Sequence, residues 1–179
     1  MEAISELADV PSATVYRLFS SKHGILKSLL DEAIVGDDES TPMADRPQIQ
    51  ALLAARDPRE QLAGFVAIVA EVNGRIAPLH RVLVSAAGAD AEAAGLLDAL
   101  TSQRQQGQRR IARSLARGGA LRPQLRERDA ADIIHALLSP ELFRLLVIER
   151  GWKIDRYQPW LVGTLIDQLL LPVPSTADP

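Results

Sequence analysis

Pro11-Ser-Ala-Thr-Val-Tyr-Arg-Leu-Phe-Ser-Ser-Lys22 is the stretch from which the fold is read, because it lies between two helical patterns and its spacing points to a partner. Ahead of it Ile4, Leu7 and Ala8 recur at helical spacing. Ala8-Asp9-Val10 then reads as a tight turn, since Asp tolerates left-handed backbone geometry. Ser12 is expected to cap a second short helix, with Val15, Leu18 and Phe19 as its buried stripe. Helix, short turn, helix is the result. Such a pair can insert the N-terminus of its second helix into a DNA major groove. Ser12, Ala13 and Arg17 would then face base edges, and Thr14, Tyr16 and Lys22 would face phosphates.

Ile4-Ser-Glu-Leu-Ala-Asp-Val10, Thr14-Val-Tyr-Arg17, Phe19 and Ser21-Lys22 with Leu26 together resemble the DNA-binding helix-turn-helix of the tetracycline-repressor (TetR) family of bacterial regulators. The likeness covers about the first 35 residues and is most specific in Thr-x-Tyr followed by Phe-x-x-Lys. Asp9 stands where the family usually has a turn Gly, Pro11 where it has a capping Ser or Thr, and apolar Leu18 where many members carry a polar phosphate contact. The resemblance also implies a further amphipathic helix ahead of this point, so the head is expected to lack its first helix and to be marginally stable. Two accounts follow. Either Met1 is an internal methionine with the helix encoded upstream, or the chain is a truncated relative with impaired DNA binding.

The rest of the chain reads as a larger all-α domain. Of its 179 residues 47% are hydrophobic and 4% aromatic, enough apolar material for a sizeable core. Neither a membrane span nor a signal peptide is expected, since no run of about twenty apolar residues occurs and the N-terminus carries Glu2 and Glu6. The absence of cysteine removes disulfides, thiolate zinc sites and cysteine nucleophiles, and a cytoplasmic location fits. Net charge is −3, and in residues 1 to 35 Arg17, Lys22 and Lys27 are outnumbered by Glu2, Glu6, Asp9, Asp31 and Glu32. A DNA grip must therefore be local and depend on two heads acting together.

In order, Ser21 is expected to cap a helix reaching about Val35, with Ile25, Leu26, Leu29, Leu30 and Ala33 as its apolar face. Gly36 to Pro47 is an acidic, breaker-rich linker, best read as a solvated loop, with an acidic interaction tail as the other reading. A short helical turn spans Ile49 to Ala55, closing a linker segment of residues 37–56. Asp57-Pro58 then opens the domain of residues 57–171 with a helix to about Asn73. Another helix is expected from Ile76 to Ala87, and a long one from Ala91 to Arg117, ended by Gly118-Gly119. Between Thr101 and Arg128 stand eight Arg and one acid, Glu127, a concentration best read as solvated or salt-bridged, with acidic-ligand binding as the other reading. Asp129 is expected to cap a helix to Arg150 kinked at Pro140. Gly151-Trp-Lys turns into a last helix ending near Leu171, and residues 172–179 read as a disordered tail.

The last two helices carry more apolar surface than one small domain can cover, so a homodimer is expected through Leu138, Leu142, Leu146, Trp160, Leu165 and Leu169. Ser139-Pro-Glu-Leu-Phe-Arg-Leu-Leu146, Glu149-Arg-Gly-Trp152, Arg156-Tyr157 and Trp160-Leu161 are similar to the C-terminal dimerisation domain of a TetR subgroup. The resemblance implies a repressor that binds a palindromic double-stranded DNA operator as a dimer and is released by a small-molecule effector. It also implies a ligand site among the helices of the larger domain, to which Phe65, Val69, His80, Leu83 and Phe143 are assigned. The alternative is a dimeric ligand-binding helical protein that has lost DNA binding by N-terminal truncation. An enzyme is not expected. No phosphate loop, Ser-His-Asp arrangement or Glu-x-x-His pair occurs, His23, His80 and His135 are isolated, and neither metal nor cofactor is called for.

Overall fold

The computed structural model describes residues 1–36 and 46–172. Most of the linker expected at residues 36–47, and nearly all of the expected tail at 172–179, lie outside the described residues. Within them the fold is all-α, with a single antiparallel bridge between Leu121 and Leu170 and no sheet.

The chain begins with α1 (Glu2–Ala8), α2 (Ser12–Phe19) and α3 (Lys22–Val35). Asp9 has φ 52°, the left-handed turn expected of it, and Ser5, buried beneath, donates its hydroxyl to the Val10 carbonyl. Ser12 does not cap α2. Pro11 holds the N-cap position and its carbonyl accepts from Thr14 N at 2.9 Å, so Ser12 is already the first helical residue. Val15 is buried and Phe19 half-buried, but Leu18 is 60% exposed, a departure from the expected stripe. With only α1 and α3 to pack on, α2 covers a narrow strip, and Leu18 lies about 100° round the helix from Phe19.

Ser21 caps α3 as expected, its Oγ accepting from Gly24 N at 3.1 Å. Gly24 is required there: a Cβ on it would meet the Phe19 carbonyl oxygen at 1.9 Å, so no other residue allows α3 to start so close to the end of α2. At its other end α3 stops at Gly36 (φ 75°), where Arg75 donates to the Ala33 and Ile34 carbonyls at 2.7 and 3.3 Å and Arg46 to Val35 at 3.3 Å. Two guanidiniums thus satisfy orphan carbonyls where the helix dipole favours cations.

After α4 (Pro47–Ala54), Asp57 caps α5 (Pro58–Ala87) by accepting from Arg59 N at 2.8 Å, with Pro58 in the first turn where its missing N–H is harmless. The expected break between Asn73 and Ile76 is absent: α5 is one helix of 30 residues. The residues that read as breakers serve close packing instead. Asn73 is buried and donates to the Leu138 carbonyl at 3.3 Å, and at Gly74 a Cβ would touch the Phe143 ring at 3.7 Å. An 18-residue window of α5 reaches a mean hydropathy of 1.4, the length and apolarity of a membrane span; here the helix packs against α3, α4, α6 (Ala91–Arg117), α8 (Pro140–Phe143) and α9 (Ile154–Leu169).

Helix α7 (Glu127–Leu137) starts before Asp129, which is not its cap but takes a two-pronged ion pair from Arg126 at 2.7 and 2.9 Å. Pro140 does not kink a continuous helix. The chain stops at Leu138 and restarts at α8 (Pro140–Phe143), where the Ser139 hydroxyl accepts from Leu142 N at 3.1 Å and Pro140 occupies the tolerated first position. A π-helical turn, Arg144–Glu149, continues α8 and closes with Arg150 N to Leu145 O at 3.0 Å. Gly151 (φ 67°) then turns the chain into α9 (Ile154–Leu169).

Tyr157, Leu161, Leu165 and Leu169 of α9 have no exposed surface and pack in one core with Leu62, Phe65 and Val66 of α5, Ile111 and Leu115 of α6, Ile134 of α7, and Phe143. A smaller core of Leu30, Leu83, Ala93 and Leu100 joins α3 to α5 and α6. Leu138, Leu165 and Leu169 therefore fill the chain's own interior and cannot meet a second subunit, a correction to the expected dimer surface. The apolar excess read from the sequence was needed to cover α5.

Tyr157 is fully buried with its hydroxyl unpartnered, and burial pushes the phenol up to about 12. Replacing it with Phe removes an unsatisfied polar atom, so Tyr157→Phe should leave the thermal midpoint unchanged or raise it, whereas Leu161→Ala should cost about 2–5 kcal/mol. Comparable losses in the two variants would show that the hydroxyl has a partner.

Candidate functional site

Two regions carry the residues singled out in the sequence, and α3 connects them. On α2 and the start of α3, Ala13, Tyr16, Arg17 and Lys22 are exposed while Ser12 and Thr14 are half-buried. Arg17 and Lys22 make no ion pair among the described residues, whereas Lys27 is engaged by Asp31 at 2.5 Å. The head is thus acidic in sum, but its two free cations lie at the end of α2 and the first turn of α3.

The first turn of α3 is also held to the body. His23 approaches carboxylate oxygens with both ring nitrogens, Nε2 to Asp90 at 2.8 Å and Nδ1 to Glu92 at 2.6 Å. Asp90 caps α6 through Glu92 N and Ala93 N at 2.9 and 3.1 Å, and these bonds, that from Ala93 foremost, with the His23 contact hold its carboxyl below the usual range. No sequence signal marked this junction: His23 and Asp90 are 67 residues apart.

The second region is a cavity of about 290 Å³ enclosed by α3, α4, α5 and α6. Its wall is largely apolar, built from Ile34, Leu53, Phe65, Val69, Ile76 and Ile111 among others, with Asn73, Gln103, Arg104, Gln106, Gln108 and Arg110 as its polar members. Apolar walls with a few polar groups are the ordinary make-up of a ligand site. Of the residues assigned to a pocket from the sequence, Phe65 and Val69 line this cavity. His80, Leu83 and Phe143 do not, being buried between helices instead. The α6 residues Gln103, Arg104 and Gln108 were not foreseen as a wall. Leu100, Gln103, Gly107 and Ile111, three to four residues apart, mark the face of α6 that they share, but nothing local sets its polar members apart from the solvated ones.

Beyond the cavity lies a small polar cluster. Gln108 Oε1 is 2.6 Å from His135 Nδ1, and His80 Nε2 is 3.7 Å from Glu141 Oε1. Both imidazoles are held below the ordinary histidine range, chiefly by burial. For His80, Arg104 and Arg144 act in the same direction and Glu141 opposes; for His135, Arg104 adds and Glu141 and Asp132 oppose. Arg104 is lowered by burial as well, and its Nη2 is buried with no hydrogen-bond partner. Within the arginine-rich stretch, Arg113 pairs with Glu127 at 3.2 Å and Arg126 with Asp129, so the salt-bridged reading holds for those two and not for Arg104.

At the far end, Leu142 and Leu146 are half-buried and Trp160 is 38% exposed, next to exposed Leu145 and Ile148. Trp152 packs edge-on against Trp160 with centroids 5.4 Å apart and carries the Arg156 guanidinium 3.8 Å above its ring.

No known family, curated protein or solved structure matches the chain.

Because His80 binds its proton less readily in the folded chain than at the ordinary value of 6.5, the unfolded chain takes up the proton first as pH falls. Stability should therefore be complete above about pH 6.5 and decline as pH drops from there toward the lowered folded value. His135 acts in the same direction. The denaturation midpoint should fall between about pH 7.5 and about pH 5.5, and His80→Leu should flatten that slope; an unchanged slope in the variant would remove His80 as its cause.

Proposed function

We propose that the protein is a ligand-responsive transcription regulator of the TetR type, a cytoplasmic repressor. In this reading it binds a palindromic double-stranded DNA operator as a homodimer and is released by a small-molecule effector. The observation that carries the reading is the placement of α3. Its first turn is locked to the end of α2 by the close approach of Gly24 to the Phe19 carbonyl, while Ile34, near its last turn, forms part of the cavity wall. A molecule entering the cavity would touch the same helix that carries α2.

Tyr16, Thr14 and Lys22 would contact the DNA backbone, and Ser12, Ala13 and Arg17 would choose sequence. Arg17 and Lys22 are exposed and make no ion pair among the described residues, which supports a role for both in DNA contact. The homodimer would use what remains exposed at the α8–α9 end, Leu142, Leu145, Leu146, Ile148 and Trp160, rather than the leucines of the core. A second reading, a ligand-binding dimer that does not read DNA, is favoured by one observation: α1 and α2 bury Val15 as their one fully buried large side chain and leave Leu7 92% exposed.

A gel shift over a randomised palindrome pool separates the two. Lys22→Ala should weaken binding to all sequences about equally and reduce the salt slope by roughly one, whereas Arg17→Ala should relax preference at one or two base pairs. No shift by the native chain favours the second reading. For the dimer, Ile148→Glu should give a folded monomer by sedimentation, while Leu169→Glu should unfold the chain. A dimer that survives Ile148→Glu and Leu145→Glu together would place the interface elsewhere.

A further inference from the structure

We propose that the cavity takes a small amphipathic carboxylate, its apolar body among Phe65, Val69, Ile76 and Ile111 and its anionic group on the guanidinium of Arg104; this rests on reading the body as an effector-binding unit. The argument begins with an imbalance. Arg104 lines the cavity, yet it makes no hydrogen bond or ion pair among the described residues, and its Nη2 is closed off from solvent. A buried charge is ordinarily paired, since desolvation without a partner is costly. Among the described residues no acid lies within ion-pair distance of it.

The surroundings narrow the choice. Glu141 is the acid whose charge Arg104 feels, but it stands beside His80 at 3.7 Å and its side chain is 59% exposed. His80 and His135, the other titratable neighbours, are both held toward their neutral forms and offer no negative charge. Gln108 is turned to His135, and Asn73 to the Leu138 carbonyl, which leaves Gln103, Gln106 and Arg110 as the further polar wall groups able to meet a second oxygen. A guanidinium gives a carboxylate charge-assisted bonds, here from its nitrogens other than the enclosed Nη2. The rest of the wall is apolar, and about 290 Å³ is at the lower edge of the roughly 300–1,000 Å³ typical of ligand sites, so the body must be short. A large polyanion fits neither the volume nor the wall.

Titration calorimetry on the full chain with hexanoate, octanoate, benzoate, 1-octanol and octylamine tests this without DNA. Octanoate should bind saturably and at least tenfold more tightly than 1-octanol, octylamine should not bind, and each methylene added between hexanoate and octanoate should tighten binding roughly fourfold. Arg104→Met should abolish the preference for the acid over the alcohol, Arg104→Lys should keep part of it, and Val69→Trp, which fills the cavity, should block octanoate. Equal affinities for octanoate and 1-octanol, no saturable binding of any acid in the series, or octanoate binding that persists in Val69→Trp would each overturn the proposal. The acid-to-alcohol comparison on the native chain decides even if a variant fails to fold. Gel shifts with the same compounds keep the two readings apart. Acid binding through Arg104 with no effect on DNA would sink the regulatory reading and leave this one standing, while release from DNA by 1-octanol alone would do the reverse.

Discussion

Covering α5 is the constraint on which the structure depends. A helix of 30 residues with an 18-residue stretch of mean hydropathy 1.4 must bury its apolar stripe, and Leu62, Phe65, Val66, Ile76 and Leu83 are buried against the surrounding helices. Polar residues along it tie those neighbours down. Gln61 donates to the Leu53 and Ala55 carbonyls at 3.0 Å, ending α4; Asn73 caps the turn after α7; Arg75 caps α3 and pairs with Glu71 at 2.6 Å. Because the helix already excludes water from these groups, leaving any of them unpaired would be costly, and the surrounding elements are fixed in position as a result.

Local chemistry in the chain foretold the ends of most helices. Ser21, Asp57 and Gly118-Gly119 mark boundaries through capping and backbone freedom, which act over three or four residues and so are visible without the fold. Asn73-Gly74 and Pro140 were misread for the converse reason. The meaning of Asn73 and Gly74 is set by residues 65 to 70 positions away, where Asn73 meets the Leu138 carbonyl and Gly74 admits Phe143, and Pro140 opens a new helix behind the Ser139 cap where a kink was expected. The dimer leucines failed in the same way. Periodicity tells that Leu165 and Leu169 must be buried, but not against which chain, and the partner proved to be α5 of the same molecule. Half of the cavity wall was legible as the apolar stripe of α5; its polar side on α6 was not, since nothing local separates a wall Arg from the solvated ones beside it.

The body also shows how an arginine-rich helix can be mostly ordinary and locally unusual. Arg113 and Arg126 meet acids at the surface, where such pairs contribute on the order of 0–1 kcal/mol. Arg104, on the same run, is withdrawn among His80, His135 and the cavity lining, and its neighbours are tuned chiefly by burial, with nearby charges second.

The contact between Gly24 and the Phe19 carbonyl makes α2 and α3 turn as one piece, so the pair works as a lever. Its fulcrum lies in the smaller core around Leu30, and Arg75 and Arg46 grip its short arm. At 1.5 Å per residue the stretch of α3 from Leu30 to Lys22 spans about 12 Å, so a tilt of about 5° about that fulcrum moves the tip by about 1 Å. The His23 contacts with Asp90 and Glu92 lie on that arm and must give for it to move. A body that yields by a fraction of an ångström beside Ile34 can therefore change which groups at the tip of the lever lie within bonding range of anything beneath it.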